Sequence, residues 1–114
     1  MRALSSRQGG MTPVELKQRL RDHWEKEVCG SRYARDGLAD RRMFFAEIDQ
    51  ARYQLEYTLA DFAQFEQARG KKVLEVGLGT GADFVRWVRA GALAYGRDLT
   101  QASVSLVKER LELA

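Results

Sequence analysis

Glu75, Gly77, Gly79 and Gly81 form an E-x-G-x-G-x-G run at the end of the apolar segment Val73-Leu74-Glu75-Val76, and Asp98 follows at about the 20-residue offset of a ribose-binding acid. A buried strand that turns sharply into a helix needs glycine where φ is positive or where a ligand approaches the backbone. The helix that follows offers unpaired N–H groups at its start. The run therefore reads as a turn that holds a nucleotide-like cofactor. Two cofactor classes fit. Gly77, Gly79 and Ala82 satisfy the G-x-G-x-x-G/A pattern of dinucleotide binding, with Asp98 as the ribose acid. Glu75 and Gly81 are the features beyond that pattern. A carboxylate at the strand end repels a pyrophosphate and attracts an ammonium group. S-adenosylmethionine carries an ammonium and no phosphate.

These elements have to position the pair of acids. Lys71 to Val76 is the first strand. Ala82 to Ala90 carries apolar residues at Phe84, Val85, Trp87 and Val88, a helical stripe with Gly91 as its stop. Phe84 and Trp87 read as core aromatics, and Asp83 as a first-turn acid explained by the helix dipole alone. Leu93 to Asp98 is a second strand ending in an acid, with the charged Arg97 just before it. Thr100 caps a last helix whose Val104, Leu106, Val107, Leu111 and Leu113 supply a face for the sheet.

On these residues the chain resembles the class I S-adenosylmethionine-dependent methyltransferases. The resemblance implies an α/β, Rossmann-like methyltransferase fold and S-adenosylmethionine as cofactor. It further implies that Glu75 helps to position the methionine amine, that Gly77, Leu78, Gly79 and Gly81 pass under the cofactor, and that Asp98 with Leu99 forms the second motif, its carboxylate taking the ribose hydroxyls. Two neighbouring acceptor oxygens suit a cis-diol. The implied methyl acceptor is a small molecule, and catalytic residues are not assigned within these 114 residues. The same resemblance implies a sheet that continues beyond the second strand, so this chain is expected to be an N-terminal portion, inactive alone and marginally folded, with one sheet face lacking neighbours.

Upstream, residues 1–11 read as a disordered tail and 12–70 as a helical extension; 71–114 begin the cofactor-binding part. Thr12-Pro13-Val14-Glu15 opens a helix with Leu16, Leu20, His23, Trp24 and Val28 on one side, ending near Cys29-Gly30. Asp40 caps a second helix with Met43, Phe44, Ile48 and Ala51 inward. A third helix is expected from Tyr57 to Ala68, stopped by Gly70. The order Trp24, Cys29-Gly30, Phe44-Phe45, Arg52-Tyr53 and Phe62-Ala63-x-Phe65 is similar to a bacterial branch of these methyltransferases related to ubiquinone and menaquinone C-methylases. In such enzymes the preceding helices lie over the cofactor mouth, which would bring Trp24, Phe45, Arg52 or Tyr53 near the site.

The remaining composition narrows the classes. One Cys and one His give neither a disulfide framework nor a metal-ligand set, and Cys29 reads as an inert, partly buried thiol. No apolar run is long enough to span a membrane, and the N-terminal stretch lacks the apolar core of a secretory signal, so the cytoplasm is the expected compartment. The net charge of +3 falls in residues 1 to 52, where 11 Lys/Arg face 8 Asp/Glu. The two signs interleave at helical spacing, as in Glu15/Arg19 and Asp22/Lys26. That is the pattern of a solvated face and does not indicate nucleic acid. The alternatives to a methyltransferase are an NAD(P)-binding part of an oxidoreductase, disfavoured by Glu75 and Gly81, and a non-catalytic cofactor-binding or interaction protein.

Overall fold

The computed structural model describes residues 9–114. The expected tail, residues 1–11, therefore lies mostly outside the described residues. The described chain is mixed α/β: two parallel strands and five α-helices, ordered α1 (Pro13–Lys26), α2 (Arg41–Leu55), α3 (Leu59–Ala63), β1 (Lys72–Val76), α4 (Ala82–Arg89), β2 (Leu93–Arg97) and α5 (Gln101–Leu113).

Thr12 starts α1 as expected. Its hydroxyl accepts from the Glu15 N–H at 3.2 Å, and the Glu15 carboxylate accepts from the Thr12 N–H at 2.8 Å, a reciprocal cap with Pro13 in the first turn. The expected inward stripe is not buried: Leu16, Leu20 and Trp24 are all exposed, and no residue of α1 is buried. The helix is tethered near its end instead. The Glu25 carboxylate accepts from the Gln101 and Ala102 N–H groups at 3.0 and 2.8 Å, capping α5 from outside. Val28, just past the helix, is the residue that enters the core.

Asp40 caps α2, accepting from the N–H groups of Arg42 and Met43. The inward face is only partly the expected one, with Ile48 buried as expected and Phe45 taking the place of Met43. Phe45 and Ile48 are buried, Met43 is exposed, and Phe44 is half-buried under the Arg41 guanidinium, 4.2 Å from its ring centroid. The expected third helix is broken. α3 ends at Ala63, Gln64 takes φ 51°, and Phe65–Ala68 forms a separate 3₁₀ turn. The break leaves Phe62 in solvent and turns Phe65 and Ala68 inward, Phe65 packing on Trp87 with ring centroids 4.4 Å apart. The gain in apolar burial explains why a non-glycine residue tolerates the left-handed region here.

β1 and β2 pair from Lys72↔Leu93 to Val76↔Arg97. Gly70 N–H to Gly91 O at 2.9 Å and Gly77 N–H to Arg97 O at 2.8 Å extend the pairing at either end. Gly91, with φ 86°, ends the α4 segment as predicted. Thr100 caps α5 through its hydroxyl, which accepts from the Ser103 N–H. One face of the sheet carries the core: Leu78, Phe84 and Val107, with Ala94, Val104 and Leu111 against them. Among the described residues no helix is long and apolar enough to cross a membrane.

Candidate functional site

Gly77, Leu78, Gly79, Thr80 and Gly81 form the turn between β1 and α4, and all three glycines have positive φ. Gly81 also has no room for a side chain, since a Cβ would stand 2.8 Å from Val107 Cγ2. It is buried behind the loop, where the first turn of α4 presses on α5, and does not line the cleft. Leu78 anchors the loop by burying its side chain in the core, so only its backbone is free to meet a ligand.

Asp98 sits just past β2 and ties this loop to the start of α5. Its Oδ2 accepts from the Leu78 N–H at 2.8 Å and the Gly79 N–H at 3.4 Å, and its Oδ1 accepts from the Thr100 N–H and hydroxyl, both at 2.9 Å. Burial pushes its carboxyl up, but the hydrogen bonds from Thr100 and from the loop N–H groups together outweigh this and hold it below the usual range. A diol placed here shares or displaces the loop N–H groups. Leu99 is exposed beside it on the cleft wall.

Glu75 lies on the covered parity of β1, opposite Gly96. Its Oε2 is buried and has no hydrogen-bond partner. Burial, and then the nearby Asp83 charge, raise its carboxyl to about 7, against the opposing pull of Arg52 and the Trp87 indole. Asp83 itself is well supplied with donors. Arg52 grips it with two bonds, at 2.9 and 2.6 Å, and the Tyr53 hydroxyl donates at 2.7 Å. The dipole account of Asp83 is therefore incomplete, since its main partners come from α2.

The loop, both strand ends and α2 surround a cleft of about 1300 Å³, whose outer wall is formed by the end of α1 and the segment after it. Glu75, Gly77, Leu78, Gly79, Asp98 and Leu99 meet there; of the seven sequence-derived site residues only Gly81 stands back. Of the extension residues, Trp24 and Arg52 line the cleft, whereas Phe45 is core and Tyr53 is turned toward Asp83 under the Arg86 guanidinium. Cys29 is exposed on the cleft wall, not partly buried, because its neighbour Val28 takes the inward position.

Arg110 was not singled out by the sequence. It is 4% exposed, donates to the carbonyls of Thr80 at 3.2 Å and Phe45 at 3.4 Å, and pairs with the Asp49 carboxylate. One buried guanidinium thus joins the glycine loop, α2 and α5. Its signal was available: Ser103, Val107 and Arg110 recur at helical spacing on the face that turns out to be buried.

In chemical terms the cleft offers a carboxylate with one unsatisfied oxygen at one strand end, a second carboxylate one strand away, and a backbone loop between them. Comparison with protein families, with curated proteins and with solved structures returns no match for this chain.

Proposed function

We propose that this cleft binds S-adenosylmethionine and that the chain is the cofactor-binding part of a methyltransferase with a Rossmann-like fold, acting on a small-molecule acceptor. The observation that carries the reading is the Glu75 carboxylate, whose Oε2 is buried without a hydrogen-bond partner beside a loop of three positive-φ glycines. A buried carboxylate oxygen without a donor is costly. An ammonium group would satisfy it, and a pyrophosphate would make it worse. Asp98 supplies two acceptor oxygens for a ribose diol, and the glycines let the ligand pass close to the backbone.

S-adenosylmethionine supplies the transferable methyl on a sulfonium centre. The residues of this chain bind and orient: Glu75 holds the amine, Asp98 the ribose, and the loop fixes the span between them. Orientation of the donor toward its acceptor is the contribution expected from such a site.

The dinucleotide reading keeps one favouring observation, the Gly77-x-Gly79-x-x-Ala82 spacing with Asp98 behind it. Titration calorimetry with S-adenosylmethionine and with NAD separates the two. S-adenosylmethionine is expected to bind, and Glu75→Gln and Asp98→Asn each to weaken it by about 1–3 kcal/mol, the loss of one charge-assisted hydrogen bond. Unchanged affinity in both variants, or binding of NAD alone, overturns the assignment.

A further inference from the structure

Arg52 and Tyr53 are neighbours near the end of α2, and both reach Asp83 in the first turn of α4. The guanidinium is bidentate, Nε to Oδ1 at 2.9 Å and Nη2 to Oδ2 at 2.6 Å, and the Tyr53 hydroxyl adds a third bond to Oδ1 at 2.7 Å. Three donors on one half-buried carboxylate go well beyond what a helix N-terminus requires. Glu75 approaches the same region from β1 and receives none of the three. Of two carboxylates that line the same cleft, Asp83 is saturated by the helical extension and Glu75 keeps an oxygen, Oε2, without a partner.

We propose that Arg52 and Tyr53 are positioning residues for ligand binding: Arg52 offsets the charge of Asp83, Tyr53 occupies its remaining acceptor site, and Glu75 is left as the acceptor for a cationic ligand group. The inference rests on the reading of the cleft as an S-adenosylmethionine site and extends it from the glycine loop to the helical extension. The groups that act on the Glu75 carboxyl are Asp83 and the Trp87 indole from α4 and Arg52 from α2. Behind them stand Arg86, 3.6 Å over the Tyr53 ring, and Glu56, 3.5 Å from the Arg52 guanidinium.

The electrostatics agree with this division. The Asp83 hydrogen bond raises Arg52, and burial followed by the bond to Asp83 raises the Tyr53 hydroxyl, so both stay protonated donors. Burial works against the Asp83 anion, yet the bonds from Arg52 and Tyr53 hold its carboxyl low. Arg52 also opposes the upward shift of Glu75. Without Arg52, Glu75 keeps its proton to higher pH and is neutral in more of the molecules at pH 7.

The test follows the carboxyls directly in the full chain. Glu and Asp side-chain carboxyls are labelled with ¹³C, the Glu75 and Asp83 signals are identified with Glu75→Gln and Asp83→Asn, and both are titrated by NMR without ligand. In the unmodified chain Glu75 is expected to titrate near 7. Arg52→Gln moves its midpoint upward, Arg52→Lys returns it toward the original value, and Tyr53→Phe gives a smaller upward move. S-adenosylmethionine affinity at pH 7 falls roughly three- to tenfold in Arg52→Gln, following the loss of ionised Glu75. Tyr53→Phe, which removes one oxygen, carries the test if Arg52→Gln does not fold. An unmoved Glu75 midpoint in the folded variants overturns the proposal, as does a moved midpoint with unchanged S-adenosylmethionine affinity. Moved midpoints in a chain that does not bind S-adenosylmethionine at all leave the division between the carboxylates standing and sink the functional reading instead.

Discussion

The two faces of the β1–β2 sheet are built from alternate residues of the same ten positions, and they have opposite fates. On one face Val73, Glu75 and Ala94 are half-buried and Gly96 is turned toward Leu78 and Phe84. On the other, Leu74, Val76, Leu93 and Tyr95 are 61%, 76%, 53% and 58% exposed, with no described element over them. Parity therefore decides the meaning of an acid in this strand. At position 74 or 76 a glutamate would be an ordinary solvated charge. At position 75 it shares a face with Leu78 and Phe84, loses water, and becomes a group whose protonation is open to question near neutrality. The face that carries the core also carries the candidate chemistry.

The sharpest way to break this contrast is at Gly96, the partner of Glu75 across the sheet. A Cβ added there would stand 2.6 Å from Leu78 Cδ2 and 3.0 Å from Phe84 Cε2, so the close packing of the loop onto the strand leaves no volume for a side chain. Gly96→Val is expected to cost about 3 kcal/mol, the upper part of the range for overpacking. Chemical denaturation measures it. A loss within experimental error of zero would mean that Leu78 is not packed over the strand and that the covered face is less well defined than the geometry indicates.

Glu75→Gln sharpens the contrast from the same face, with a smaller effect and a defined pH dependence. The Glu75 carboxyl is raised from 4.5 to about 7 in the folded chain, so between these values the folded state holds a proton that the unfolded state has released. Stability therefore falls as pH rises through this window, and the full cost is present above pH 7. Glutamine removes the titration. The variant is expected to be more stable than the parent at pH 8, on the order of 1–2 kcal/mol after allowance for solvent screening at a half-open site, and equal to it near pH 4.5. Thermal melts of both proteins across pH 4.5 to 8 check this. Parallel curves would show that the carboxylate is solvated. With the weakened ligand binding predicted for the same variant, the outcome would mark Glu75 as a residue kept at a cost in stability.

Which parts of this arrangement could be read from the sequence follows from the distance over which each is determined. The caps by Thr12, Asp40 and Thr100, the stop at Gly91 and the glycine turn after β1 depend on donors and acceptors a few residues apart, and each lies where its local pattern put it. The break at Gln64 has no local sign, because glutamine does not favour positive φ; it is imposed by Phe65 seeking Trp87. The stripe on α1 predicted a buried face, but periodicity states only that a face exists and not that something covers it. For the site, spacing brought Glu75, the loop and Asp98 together, whereas the grip of Arg52 on Asp83 spans 31 positions and that of Arg110 on Asp49 spans 61. No periodic pattern links residues so far apart.

The smallest expected effect belongs to the open face, and it tests the other half of the contrast. Leu74 and Tyr95 are cross-strand partners that lie side by side and line a shallow surface groove. Each is more than half exposed, so replacing them by threonine removes little buried area while keeping a residue suited to a strand. Leu74→Thr with Tyr95→Thr is expected to change stability by no more than about 0.5 kcal/mol, as for substitutions away from packed features. The pair should also reduce self-association, because contiguous apolar surface beside exposed strand edges promotes it. Denaturation and light scattering at several protein concentrations read the two effects separately. A loss of stability that grows with protein concentration would show that this face is buried between copies in solution. A loss independent of concentration would show that Leu74 and Tyr95 are packed within the single chain, and the distinction between the two faces would fail.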